Sequence, residues 1–193
     1  MLRFNFNPFP TLETDRLILR RLVKADAPNL FRLRNDNNVM QYIDRPRQKE
    51  IEETELFIEN IDGLIDQNSD INWAIALKDN LNEMIGTIGY YRNQMANYRG
   101  EVGYMLDSTF WRKGVMHEAL QRVVKYGFEY SEGKGIGFHS IEACIHPEND
   151  ASRLLLLKNN FVKEAYFKEN YFFDGQFKDT EVYSCLNPNI LPF

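Results

Sequence analysis

The chain has 193 residues, 44% of them hydrophobic and 13% aromatic, enough for one domain with a buried core. Its 23 Lys and Arg face 28 Asp and Glu, a net charge of −5, which speaks against a general nucleic-acid binder. Two cysteines, Cys144 and Cys185, are too few for a disulfide framework, and no segment approaches the ~20 apolar residues that span a bilayer.

The opening "MLRFNFNPFP" has neither a long apolar run nor a cleavage signal, so the expectation is a cytoplasmic protein with no membrane partner. Both cysteines sit among apolar residues, as buried thiols do. Residues 1–10 read as an irregular arm of a single domain spanning 1–193, since no repeat or linker divides the chain. Residues 16–22, "RLILRRL", read as a strand. A helix then starts with Asp26 as N-cap and Pro28 in its first turn. A second helix runs from Gln48 to about Asp66, with Phe57, Ile58, Ile61, Leu64 and Ile65 at helical spacing.

Three strands follow at residues 71–78, 84–93 and 99–107, joined by turns that suit antiparallel hairpins. After "STFWRKG", an apolar stripe of Val115, Ala119, Leu120, Val123, Val124 and Phe128 marks a helix. The glycine-rich residues 132–137 end it. Residues 139–145 are a strand, "HPENDASRLLLLKNN" a turn and a helix capped by Asn149 or Asp150, and a hairpin turning at "DGQ" closes the chain. The order β-α-α-β-β-β-α-β-α-β-β gives an α+β fold: a mixed, mostly antiparallel seven-stranded sheet with helices on both faces. Its one strand-helix-strand crossover places strands 101–106 and 139–145 side by side and parallel.

"RKGVMHEA" puts a glycine and two cations at a helix N-terminus, where unpaired N–H groups attract anions. On local physics alone, an anion site and a turn with solvated charges stand even. "GKGIG" at residues 133–137 lacks the spacing and the Ser/Thr of a P-loop. The spacing of His117, His139 and His146 fits no metal-ligand motif, so no metal is expected.

"EVGYMLDSTFWRKGVMHEAL" followed by "IEACIHPENDASRLLLLKNNF" is more specific. Together they resemble the GNAT acetyltransferase superfamily, in particular its RimJ/RimL branch, which acetylates protein N-termini; the opening "TLETDRLILRRL" resembles the family's first strand. The resemblance covers residues 11–186 and implies a transferase that uses acetyl-CoA and an amine acceptor. It implies that the amides of Arg112, Lys113, Gly114, Val115, Met116 and His117 cradle the pyrophosphate. The main chain of Tyr104, Met105 and Leu106 would pair the pantetheine arm, with the Met105 amide as oxyanion donor. By the same likeness Asn149 contacts the cofactor arm, and Ser152 lies near the sulfur as proton donor to the leaving thiolate.

Only a neutral amine attacks a thioester, so a base must take a proton. Glu101, on the strand leading into the site, is the first choice and Glu142 the second; a salt-bridged strand carboxylate is the alternative for each. Four positions depart from the family pattern. Trp111 replaces its Gln/Arg, Met116 a small residue, Leu156 a tyrosine acid and Asn160 a glycine. Candidate acceptor walls are Phe31, Arg34 and Tyr42 with Tyr171, Phe172 and Phe173. The acceptor stays open between a (ribosomal) protein N-terminus and a small amine, and a catalytically silent acyl-CoA-binding module is the reading from another class.

Overall fold

The computed structural model describes residues 2–130 and 135–189, so residues 132–134 of the expected glycine-rich connector lie outside the described residues. Eight strands form one sheet in the order β1-β2-β3-β4-β5-β6-β8-β7. They are β1 (Leu12–Glu13), β2 (Leu17–Arg21), β3 (Ile71–Leu77), β4 (Asn80–Gln94), β5 (Arg99–Leu106), β6 (Ser140–Ile145), β7 (Val162–Phe173) and β8 (Gln176–Leu186). The helices are α1 (Ala27–Asn35), α2 (Ile51–Asp66), α3 (Val115–Phe128) and α4 (Asp150–Lys158). Every strand pair is antiparallel except β5 with β6, the expected parallel crossover.

The eighth strand corrects the count of seven. Leu12–Glu13 pairs with β2 through Leu12↔Leu19 and Glu13↔Ile18, and two residues are too few to show a period in sequence. The turn before β4 is also tighter than expected, since β3 ends at Leu77 and β4 begins at Asn80. The closing hairpin turns on Asp174 (φ 48°) and Gly175 (φ 78°). Two consecutive positive φ angles match a type I′ turn, whose twist suits the flanking strands.

Alternation along the strands sorts the core into two faces. Leu17, Leu19, Trp73, Ile75, Ile88 and Tyr90 pack against Val115, Ala119, Leu120 and Val123 of α3. On the other side Leu22, Ala74 and Met84 pack against Leu30 and Leu33 of α1 and Ile58 of α2. The arm has no regular structure, yet Leu2, Phe4 and Phe6 are buried in the first cluster. Cys144 does not fit the buried-thiol expectation: it is exposed, two residues beyond Glu142 on β6, while Cys185 is half-buried.

Asp26 precedes α1, with Pro28 in the first turn, but its side chain does not cap that helix. Its oxygens accept two hydrogen bonds from Arg20, both 2.7 Å, and one from Val23 N at 2.9 Å. The carboxylate is only 2% exposed, so it is desolvated, while Arg20 is half-buried. Asp26→Ala would leave the half-buried Arg20 guanidinium with carbonyl partners alone, and is expected to lower the unfolding free energy by about 2 kcal/mol, less than for a fully buried pair. Urea denaturation measures that loss.

Candidate active site at the strand splay

β5 and β6 pair at only three positions, Arg99↔Ser140, Gly100↔Ile141 and Glu101↔Glu142. Beyond them β5 stays with β4 as far as Gly86↔Leu106, while β6 follows β8 as far as Ile145↔Glu181. The end of β5 therefore has an open side toward β6. Backbone groups alternate along a strand, so two hydrogen bonds fix which residues face it. Asp107 N donates to Ile85 O of β4 at 2.9 Å, and Tyr98 O accepts from His139 N on the β6 side at 2.6 Å.

Odd-numbered residues thus turn their backbone groups to β4, and even-numbered ones turn theirs to the gap. Tyr104 and Leu106 present main-chain groups there; Met105 does not. This corrects the expectation of a Met105 oxyanion donor: its amide is directed to Thr87, its partner on β4, and its side chain packs toward α1 and α2. The Leu106 carbonyl already accepts from Trp111 Nε1 at 2.8 Å. That leaves the Leu106 amide and both groups of Tyr104 for an extended ligand.

The gap leads to the N-terminus of α3. Gly114 is the residue before the helix, with φ 76° and no side-chain cap on the first-turn amides. Arg112 is also left-handed, φ 59°. The side chains of Val115 and Met116 are buried in the core, so Met116 points away from the N–H groups it contributes. His117 adds its amide to the same turn; its Nδ1 is buried and has no hydrogen-bond partner. Lys113 Nζ lies 5.4 Å from the Phe110 ring centroid.

A residue from far away in sequence completes this corner. Arg16 Nη1 donates to Lys113 O at 3.1 Å, and Arg16 Nε donates to Glu118 at 2.7 Å. Its Nη2 is 3.5 Å from where a side chain on Gly114 would begin. Burial alone would push the Glu118 carboxyl up, but hydrogen bonds from Thr14 and Arg16 hold it below its ordinary value. The ion pair ties β2 to α3 and sets a third cation beside the uncapped amides. Sequence reasoning missed Arg16, because nothing local relates residue 16 to residue 114.

On the α3 and α4 side of the gap, the Tyr104 hydroxyl lies 2.6 Å from Ser152 Oγ. Asn149 caps α4 by accepting from Ser152 N at 3.0 Å; contact with a ligand would fall to its other amide atom. Burial raises the Tyr104 pKa to about 12, only partly opposed by the bond to Ser152. Leu156, at the family's tyrosine position, is wholly buried in the core. A tyrosine hydroxyl thus reaches Ser152 from β5, a contact sequence reasoning did not see because it used only the Tyr104 backbone. Asn160 has φ 63°, the left-handed geometry expected where a glycine is usual.

Glu101 and Glu142 are register partners on the α1 and α2 side. Glu101 accepts from Arg92 Nη1 at 3.0 Å, and Glu142 accepts from Arg99 Nη2. Both carboxylates are therefore ion-paired, as the alternative reading held. Burial nevertheless pushes the Glu101 carboxyl above its ordinary value, against the pull of Arg92 and with a push from Glu142. The loop between α1 and α2 is held nearby: Tyr42 stacks on His146 at 5.5 Å, and Tyr171 of β7 donates to Asp44. Phe172 sits instead against Phe177 and is largely exposed. Among the described residues no group of three or more His, Cys, Asp and Glu could hold a metal ion, and no helix is long and apolar enough to cross a membrane.

A parallel pair that splays beside an uncapped, glycine-led helix can take an extended ligand with an anionic end. Residues 16–162 match the family described as Acetyltransferase (GNAT) domain, and the chain belongs to that family of acetyl-CoA-dependent N-acetyltransferases. The chain is 35% identical over 180 residues to the uncharacterized N-acetyltransferase YoaA of Bacillus subtilis (strain 168), covering 93% of this chain and 98% of that one. RimL, a ribosomal L7/L12 alpha-N-protein acetyltransferase solved with coenzyme A, superposes with a TM-score of 0.80 at 22% identity, covering 92% and 98% of the two chains. MccE, a Microcin C7 self-immunity acetyltransferase solved with acetyl-CoA and AMP, does so with a TM-score of 0.77 at 21% identity, covering 90% and 93%. At these identities the two structures bear on the fold alone.

Proposed function

We propose that the chain moves an acetyl group from acetyl-CoA directly to a primary amine, with the two substrates meeting where β5 and β6 part. The observation that carries this is Glu101 on one side of the splay and the Tyr104–Ser152 hydroxyl pair on the other. Acetyl-CoA supplies the acetyl group on a thioester sulfur. The α3 amides from Val115 to His117, with Arg16, Arg112 and Lys113, hold the pyrophosphate; the Leu106 amide and the Tyr104 main chain hold the extended arm. The Leu106 amide, rather than that of Met105, polarises the carbonyl.

Glu101 in its ionised form takes a proton from the acceptor's ammonium, directly or through one water. The nitrogen's lone pair then forms the C–N bond while the C–S bond breaks. Ser152 donates its hydrogen to the departing sulfur. Tyr104, kept neutral by its raised pKa, donates in turn to Ser152 Oγ, and the second proton shed by nitrogen restores the pair. A RimL-like protein N-terminus and a small amine are both acceptors this arrangement admits.

Release of free thiol from acetyl-CoA over a panel of amines and peptides tests the reading. Binding of acetyl-CoA with no thiol release from any acceptor would favour the silent module. Ser152→Ala is expected to lower kcat by roughly 100-fold, the low end of a positioned acid's contribution. Tyr104→Phe should give a smaller drop, and the double variant little more than Ser152→Ala, because the two hydroxyls act in series.

A further inference from the structure

Arg34 on α1 is half-buried and has no salt bridge among the described residues. Its Nε is sealed from solvent with no hydrogen-bond partner. Its guanidinium lies 4.3 Å from the Phe57 ring centroid, a contact that offsets only part of the desolvation. The groups that face it electrostatically are Arg45, from the loop between α1 and α2, and the Tyr91 hydroxyl on β4; no carboxylate is among them. Among the described residues, neither Arg34 nor Arg45 forms a salt bridge, although Arg20, Arg21, Arg92, Arg99 and Arg153 all do.

Arg45 repels the Arg34 charge and neither has a salt bridge among the described residues to offset it, and a buried polar atom left unpaired calls for a partner. Their position says which. Tyr91 is the register partner of Glu101 across β4 and β5, and the charge of Arg45 is felt at both Tyr91 and Glu101. Glu101 and Glu142, each already held by an arginine of its own, mark the carboxylate end of this face, and Arg34 with Arg45 mark a cationic end beside it that has no salt bridge among the described residues. The acceptor that matches both is a zwitterion.

We propose that the acceptor amine carries a carboxylate within a few bonds of the reacting nitrogen, and that Arg34 and Arg45 receive this carboxylate while Glu101 receives the amine. This rests on the transferase reading of the same site. A free amino acid and a peptide with an acidic residue at its N-terminus share this chemistry.

Thiol release is to be compared for free amino acids against their amides, and for peptides beginning Asp-Ser against Asn-Ser. The expected result is a KM lower by about 10- to 100-fold for the carboxylate member of at least one series, the size of a charge-assisted contact. The series that discriminates identifies the source. Arg45→Gln, at an exposed position, should erase the difference without changing the KM for acetyl-CoA. Arg34→Met should erase it too, and should raise the melting temperature of the free protein because an uncompensated cation is gone. Equal KM values for carboxylate and amide acceptors, unchanged in both variants, would overturn the proposal while leaving the transferase intact.

If no acceptor turns over, the transferase reading fails, and a binding measurement still decides this one. Melting shifts by an N-acetylated amino acid and by an N-acetylated Asp-Ser peptide, each against its amide counterpart in the presence of coenzyme A, should favour the carboxylate in at least one pair with the wild type and in neither with Arg45→Gln. Equal shifts in both pairs overturn it.

Discussion

Glu101→Gln is expected to lower kcat by about 100-fold or more, the usual contribution of a positioned general base, while acetyl-CoA affinity stays nearly unchanged. The substitution keeps the shape of the side chain and a hydrogen-bond acceptor for Arg92, so the loss isolates proton transfer. Burial raises the carboxyl's proton affinity above the ordinary range despite Arg92. The base must be ionised, so kcat/KM of the wild type should rise with pH through this raised value, and Glu101→Gln should lose that acid limb. An undiminished kcat would send the role to Glu142 or to water.

The same shift has a consequence for stability. A carboxyl whose pKa is higher folded than unfolded contributes stability below its unfolded pKa, and loses it as pH rises through the folded value. At neutral pH the ionised Glu101 is a cost. Glu101→Gln should therefore melt no lower than the wild type at pH 7, although it is far less active. A variant that is both inactive and clearly less stable would instead mark Glu101 as a structural ion-pair residue.

Gly114→Val is expected to weaken acetyl-CoA binding by about 100-fold or more, read by calorimetry and by loss of the ligand-induced melting shift. At φ 76° a branched side chain is strained, and relieving the strain costs about 1–2 kcal/mol or rotates the backbone. Rotation would turn the first-turn amides away from an anion, and each charge-assisted hydrogen bond lost is worth roughly 1.5–3 kcal/mol. Space is not the obstacle, because an added Cβ meets only Arg16 Nη2 at ordinary contact distance. Gly114→Ala should accordingly show a smaller loss. Retention of wild-type affinity in Gly114→Val would falsify the pyrophosphate assignment.

The element order, the parallel crossover and the α3 start were legible because each rests on a local signal: period, turn chemistry, a glycine before an apolar stripe. Where local signals are short or shared, the reading slipped. A two-residue β1 has no period. Asp26 looks like a helix cap but answers to Arg20, six residues back on a neighbouring element. Met105 stands in the resembling motif, yet the hydrogen-bond parity of β5 gives the gap to Tyr104 and Leu106.

By itself the sequence determined the fold class, the family resemblance and the candidate phosphate turn, since helix and strand patterning and glycine's backbone freedom are properties of neighbouring residues. Only the tertiary structure decided which groups share the site. Arg16 reaches Lys113 O across 97 positions, the Tyr104 hydroxyl reaches Ser152 across 48, and Arg34 is left beside Arg45 without a carboxylate. Those relations depend on the sheet order and the burial it imposes, because electrostatics and hydrogen bonding act through space rather than along the chain.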